Sequence, residues 1–147
     1  RYNAAGGILN HYYTESGRNL NELKSKTITM MPDDVSAMAL TRVGGVTPNS
    51  NHLKAGEKDI SVTYGHLGID VNSGYDVMNL FSHETKHMDD AIRFGKKMFS
   101  MDPEYRAYIH QVQDKTWKNV SREFKDHIWG VGAKYMYPSE QKKYFNK

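Results

Sequence analysis

Apolar residues follow two rhythms along this chain. Ile60, Val62 and Tyr64 alternate with polar neighbours, a period of two that predicts a half-buried β-strand interrupted at Gly65 and Gly68. From residue 77 the period lengthens. Val77, Leu80, Phe81, Met88, Ala91 and Ile92 recur at helical spacing, Ser73 with Asp76 three positions on forms a capping arrangement, and Gly95 ends the predicted helix. A second long helix is expected from Asp102 as N-cap, with Pro103 in its first turn and a stripe of Tyr105, Ile109, Val112, Thr116, Val120 and Phe124. Upstream, Ile8, Leu9, Tyr12 and Tyr13 suggest a short helix broken at Ser16 and Gly17. The β-branched run at 26–31 is halted by Pro32, residues 36–45 fit a strand or a short helix, and 47–59 reads as a loop. Beyond Gly130 the chain is aromatic and basic, and Pro138 is expected to end any helix there. This order predicts an α+β fold, with a small, mostly antiparallel sheet packed on two long helices.

Size and composition narrow the chemistry. A chain of 147 residues, 38% hydrophobic and 25% charged, is expected to be one globular domain over residues 1–147. Arg1 stands where a starting Met would, so a fragment or a processed form of a longer protein is expected. No run of 18 apolar residues offers a membrane span. Cysteine is absent, which removes disulfides and thiolate chemistry, so any metal must be held by His and carboxylates. The net charge of +3 is no nucleic-acid signature. The basic strip of Lys115, Lys118, Arg122 and Lys125 is interleaved with Asp114, Glu123 and Asp126 and reads as a solvated face, while residues 41–51 lack the Lys and helix start of a phosphate-binding loop.

The segment of chemical interest lies inside the first long helix, where residues 83–87 read His-Glu-Thr-Lys-His. At about 100° per residue, His83 and His87 fall on one strip a single turn apart, placed to hold one ion between them. Lys86, Asp89 and Arg93 take the solvated side. Glu84 lands in the apolar arc of Leu80, Phe81, Met88 and Ala91, where an unpaired carboxylate costs on the order of several kcal/mol in desolvation. A zinc ion beside it would supply positive charge and a water for it to deprotonate. The alternative is a pair of boundary histidines with Glu84 tied to a Lys or Arg.

These five residues resemble the HExxH motif of the zincin metallopeptidases, in which both histidines are metal ligands and the glutamate is the general base. The metzincin variant does not fit, since Asp90 stands at its Gly position and Arg93 at its third His. The gluzincin pattern takes a Glu from the next helix. Glu104, 17 residues past His87 in the first turn of a helix able to pack antiparallel to the first, is similar to it, although acidic residues there also complement the helix dipole. Asp90, one turn beyond His87, is the rival, with support of His87 or plain solvation as its other roles. His66 reads as a loop histidine at the sheet edge, His110 points about 240° away from Glu104 round its helix, and Tyr108 is the preferred candidate for stabilising an oxyanion.

The resemblance implies a zinc-dependent endopeptidase with His83, His87 and Glu104 as ligands, Glu84 as base, a peptide or protein substrate, and the strand at 60–64 as the rail on which substrate adds as an extra strand. Domains of this sort are similar to toxin or effector modules of bacterial secreted proteins. The competing expectation is a non-catalytic binding module, helical or metal-stabilised.

Overall fold

The two rhythms become two kinds of element. The computed structural model describes residues 2–32, 37–67 and 69–146. Its order is α1 (Tyr2–Glu15), β1 (Thr29–Met31), β2 (Ala39–Val43), β3 (Lys58–Thr63), α2 (Gly74–Phe94), α3 (Pro103–Gln113), α4 (Arg122–Gly132) and α5 (Pro138–Phe145), joined by short 3-10 turns. This is the expected α+β class.

The sheet is mixed, its longer ladder antiparallel and its shorter one parallel. Its order is β1-β3-β2, with β3 parallel to β1 (Thr29 opposite Ser61) and antiparallel to β2 (Ala39 opposite Val62). The chain reverses after β1 and again after β2, so β3 returns between its two predecessors and runs alongside β1. Being central, β3 is covered on both faces instead of one: Ile60 and Val62 are fully buried, and Ser61 and Thr63 are buried too. Their hydroxyls are satisfied locally, Ser61 sharing a hydrogen bond with Thr29 and Thr63 donating to the Ala37 carbonyl. Tyr64 has already left the strand to open a 3-10 turn (Tyr64–His66). The open stretch at 36–45 is a strand from Ala39, with Ser36 outside the described residues, as is the expected break at Gly68. The loop after it ends early because Lys58 and Asp59 pair with Val43 and Arg42.

The helices depart from their predicted stripes in informative ways. In α1, Leu9 and Tyr13 are buried while Ile8 is 57% exposed, and Gly17 takes φ +91° just past the helix end. In α2, Ser73 caps as expected, its hydroxyl accepting from the Asp76 amide (3.2 Å), and Gly95 ends the helix at φ +58°, although Ile92 faces out. Asp102 stands at the N-cap of α3 but in a left-handed conformation (φ +49°) with no side-chain capping bond.

The second long helix is in fact two. Asp114 leaves helical geometry, its carboxylate accepting from the Thr116 amide (3.1 Å) and hydroxyl (2.5 Å), and Ser121 then caps α4 by accepting from the Phe124 amide (3.2 Å). Such side chains offer the backbone an alternative to the helical ladder, and they outcompete the apolar stripe here. Pro138 likewise begins α5 instead of ending a helix, at the first helical position where its missing N–H is harmless, with Glu140 accepting from the Tyr137 amide (2.9 Å).

α2 is the axis of the fold. On one side Phe81 meets the Tyr13 ring edge-on (5.1 Å) and the Thr41 hydroxyl of β2 bonds the Glu84 carbonyl (3.0 Å). On the other side lies α3, where Asp90 meets Arg106, His87 meets Glu104, and His83 and Asn79 meet Gln111. The first half of α2 (Asn79, His83) thus meets the end of α3 at Gln111 and its second half (His87, Asp90) meets the start at Glu104 and Arg106, which makes the pair antiparallel, as expected. No helix among the described residues is long and apolar enough to cross a membrane.

Candidate metal centre

The α2–α3 seam gathers the three residues expected to share an ion. His83 and His87, one turn apart, bring their Nε2 atoms within 3.1 Å of each other. Glu104, from the first turn of α3, places one oxygen 2.6 Å from His87 Nε2 and the other 3.8 Å from His83 Nε2. One donor atom from each lies within 4.8 Å of the other two. Metal bonds of about 2.0–2.1 Å to imidazole and carboxylate demand ligand separations of about 3.0–3.4 Å, and these side chains straddle that range. Two imidazoles and a carboxylate are also the donor set that suits zinc, so the residues fit the ion.

The His83 imidazole is oriented by groups the sequence reading missed. Gln111 Oε1 lies 3.0 Å from His83 Nδ1, while Gln111 Nε2 donates to Asn79 Oδ1 (3.0 Å). Asn79 Nδ2 in turn donates to the Gln111 carbonyl and to the Thr116 hydroxyl, both at 3.0 Å. With its amide orientation fixed by this network, Gln111 presents an acceptor, so the His83 proton is assigned to Nδ1 and the Nε2 lone pair faces the cluster. Burial, followed by the neighbouring His87, pushes His83 down to about 3, leaving the ring neutral. His87 goes the other way: burial lowers it, but the Glu104 bond and the Glu84 charge outweigh that and raise it. Glu104 is correspondingly held below its ordinary range despite its own burial.

Glu84 is buried and barely compensated. Its Oε1 accepts from the Thr41 hydroxyl (3.0 Å), which also faces the Glu84 carbonyl, so a single proton serves two acceptors. Among the described residues no Lys or Arg pairs with it, and the His83 Nε2 lies 3.9 Å away. Burial raises its pKa, against the pull of His87 and Thr41. The alternative of a Lys or Arg partner for this carboxylate is therefore not met among the described residues.

Of the remaining candidates, Tyr108 alone joins the site among the described residues. Asp90 is not solvated: it is buried, accepts from Arg106 through both oxygens (2.9 and 3.1 Å) and pairs with Lys86 (3.2 Å), clamping α2 to α3, while its charge helps to raise His87. Asp89 faces outward but holds Arg18 through two 3.0 Å bonds. His110 is exposed. Tyr108 packs its ring on His83 (4.4 Å) and Tyr135 (5.7 Å), and burial keeps its phenol protonated. Gly132 makes room for it, since a Cβ there would come within 2.7 Å of the Tyr108 ring. His66 is half-buried against Asp70 (2.9 Å) and near His127.

Glu84, both cluster histidines, Glu104 and Tyr108 line one cavity of about 490 Å³, walled by residues 37–42 on the sheet side and by His127, Ile128 and Val131 of α4. The strand at its rim is β2, the edge of the sheet. The strand at 60–64 is central, with both its edges taken by β1 and β2, and has no room for an added strand. Of the missed residues, Gln111 had a signal, because Glu104, Tyr108 and Gln111 follow the i, i+4, i+7 spacing of one helical face. Thr41 and His127 had none. Compared with family models, curated proteins and solved structures, the chain matches none.

Proposed function

We propose that this protein is a zinc-dependent endopeptidase of gluzincin type, with His83, His87 and Glu104 holding the ion. The observation that carries the proposal is Glu84: a buried carboxylate with no Lys or Arg partner among the described residues, lining a cavity next to three converging metal donors. A folded protein keeps such a group at a cost in stability, and a burial-raised carboxylate beside a cleft is suited to proton transfer near neutral pH. Zinc, when bound, acidifies water and polarises a peptide carbonyl.

The chain supplies the rest. Glu84 takes the proton of the attacking water and returns it to the leaving amine, and the Thr41 bond to Oε1 leaves Oε2 as the working oxygen. Gln111 fixes the tautomer of His83. β2, the edge strand bordering the cavity, offers its backbone to an extended peptide. The protonated Tyr108 phenol is a donor for developing negative charge. Delivery of such an activity as an effector or toxin module rests on the sequence resemblance alone.

Elemental analysis after gel filtration tests the proposal. About one zinc per chain is expected from the seam. His83→Ala and Glu104→Ala are expected to weaken zinc binding severely, and Glu84→Gln to keep the ion while lowering peptide hydrolysis about 10²–10⁴-fold. A chain that takes up no zinc at the seam, or a Glu84→Gln variant that cleaves like wild type, overturns it.

A further inference from the structure

A second constellation of ligand-type side chains lies outside the seam. His66 sits in the 3-10 turn after β3, and its carbonyl accepts from the amides of Ile69, Asp70 and Val71 (3.3, 3.1 and 3.1 Å), so the turn that carries Asp70 is anchored on His66 itself. Asp70 Oδ2 lies 2.9 Å from His66 Nδ1. From the opposite direction α4 brings His127, whose Nδ1 stands 3.6 Å from the same oxygen. The two rings meet edge-on with centroids 5.5 Å apart.

Several features separate this arrangement from an ordinary His–Asp pair. The 3.6 Å approach of His127 is too long for a hydrogen bond, yet its Nδ1 is aimed at the oxygen that His66 already contacts. Among the described residues, the ion pairs of Asp70 are these two imidazoles alone, with no Lys or Arg. One nitrogen from each ring and one carboxylate oxygen lie within 4.8 Å of one another. Separations of 2.9 and 3.6 Å bracket the about 3.0–3.4 Å required by a cation with bonds of about 2.0–2.1 Å. The side chains are 24%, 29% and 19% exposed, so an ion has a route in without unfolding. His127 also lines the cavity that holds Glu84 and Glu104, which places this cluster at its wall.

We propose that His66, Asp70 and His127 form a second divalent-cation site. Its two nitrogens and one carboxylate oxygen favour a borderline ion such as Zn²⁺, Co²⁺ or Ni²⁺ over Ca²⁺ or Mg²⁺, which prefer all-oxygen sites. The donors come from a turn and from a distant helix, so the ion ties the β3–α2 connection to α4 across the cavity wall.

The test is a Zn²⁺ and Co²⁺ titration of the full chain with stoichiometry counted by equilibrium dialysis. Wild type is expected to take two ions. Asp70→Asn, His66→Gln and His127→Gln are each expected to weaken one of them by more than about 100-fold, beyond the effect of losing a supporting partner, and to leave the other in place. His83→Ala is expected to lose the other ion and keep this one. The three substitutions serve as mutual controls for folding, and those that retain the wild-type circular dichroism decide. Wild type with a single ion that survives all three substitutions overturns the second site. A single ion that survives His83→Ala but not Asp70→Asn establishes the second site and overturns the seam. Two ions with unchanged affinities in the Asp70, His66 and His127 variants also overturn it.

Discussion

The start of α2 and its middle bury carboxylates under opposite conditions. Asp76, in the first turn, is fully buried and accepts from the Asn72 amide (2.8 Å), the Ser121 amide (2.7 Å) and the Ser121 hydroxyl (2.6 Å). It also sits at the positive end of the helix dipole. Two turns later Glu84, equally hidden, has one shared hydroxyl. The first ties α4 to α2 and closes the fold, while the second leaves an acceptor pointed at a cavity. A buried carboxylate is thus part of the architecture where donors saturate it and is free to serve the proposed chemistry where they do not.

The sharpest way to break this contrast is to remove Asp76. Asp76→Ala orphans two backbone amides and a hydroxyl and is expected to cost about 3–5 kcal/mol in urea unfolding. A loss below about 1 kcal/mol would deny Asp76 its structural role.

Asp90 stands between the two cases, saturated by Arg106 and Lys86 but with Arg106 partly in solvent. Asp90→Asn is expected to cost about 1–2 kcal/mol and to change zinc affinity by less than about tenfold. Abolished zinc binding in this variant would make Asp90, and not Glu104, the third ligand.

Glu84→Gln has the smallest expected effect on stability and the opposite sign, a gain of about 1 kcal/mol at neutral pH in the metal-free protein. Its pH dependence follows from the raised pKa. The native state holds the Glu84 proton above the ordinary 4.5, so wild type loses stability as pH rises from there through the folded value. The advantage of the variant is therefore complete above that window, fades as pH falls through it and is gone below 4.5. Thermal unfolding of both proteins from pH 4 to 8 reads it. A constant difference would mean that Glu84 does not titrate in this range.

The parts of the molecule legible in the sequence are those written in local spacing. Ser73, Asp76 and the 3.6-residue stripe specify α2, and His83, Glu84 and His87 follow from it by rotation alone. Glu104 came from likeness to a known pattern, and the antiparallel seam brings it to the histidines. What stayed hidden depends on which surface meets which. The i, i+4 rule cannot say that β3 slides between β1 and β2, so the strand taken for a substrate rail proved to be the buried centre. Asp114 and Ser121 were visible, but whether a short polar side chain bonds its own backbone or yields to an apolar stripe is decided by the packing of Thr116 and Phe124 around it. His127, about 60 residues from Asp70, carries no periodic mark at all.

Gly132 has a consequence for descent. A methyl group there would strike the ring that backs His83, so the vacancy at 132 belongs to the proposed site as much as its candidate ligands do. The signature of the proposed centre is accordingly longer than five letters: Glu at 17, Gln at 24 and Gly at 45 positions beyond the second histidine of the pair. Kin too divergent to align by eye should keep those intervals while changing almost everything between them.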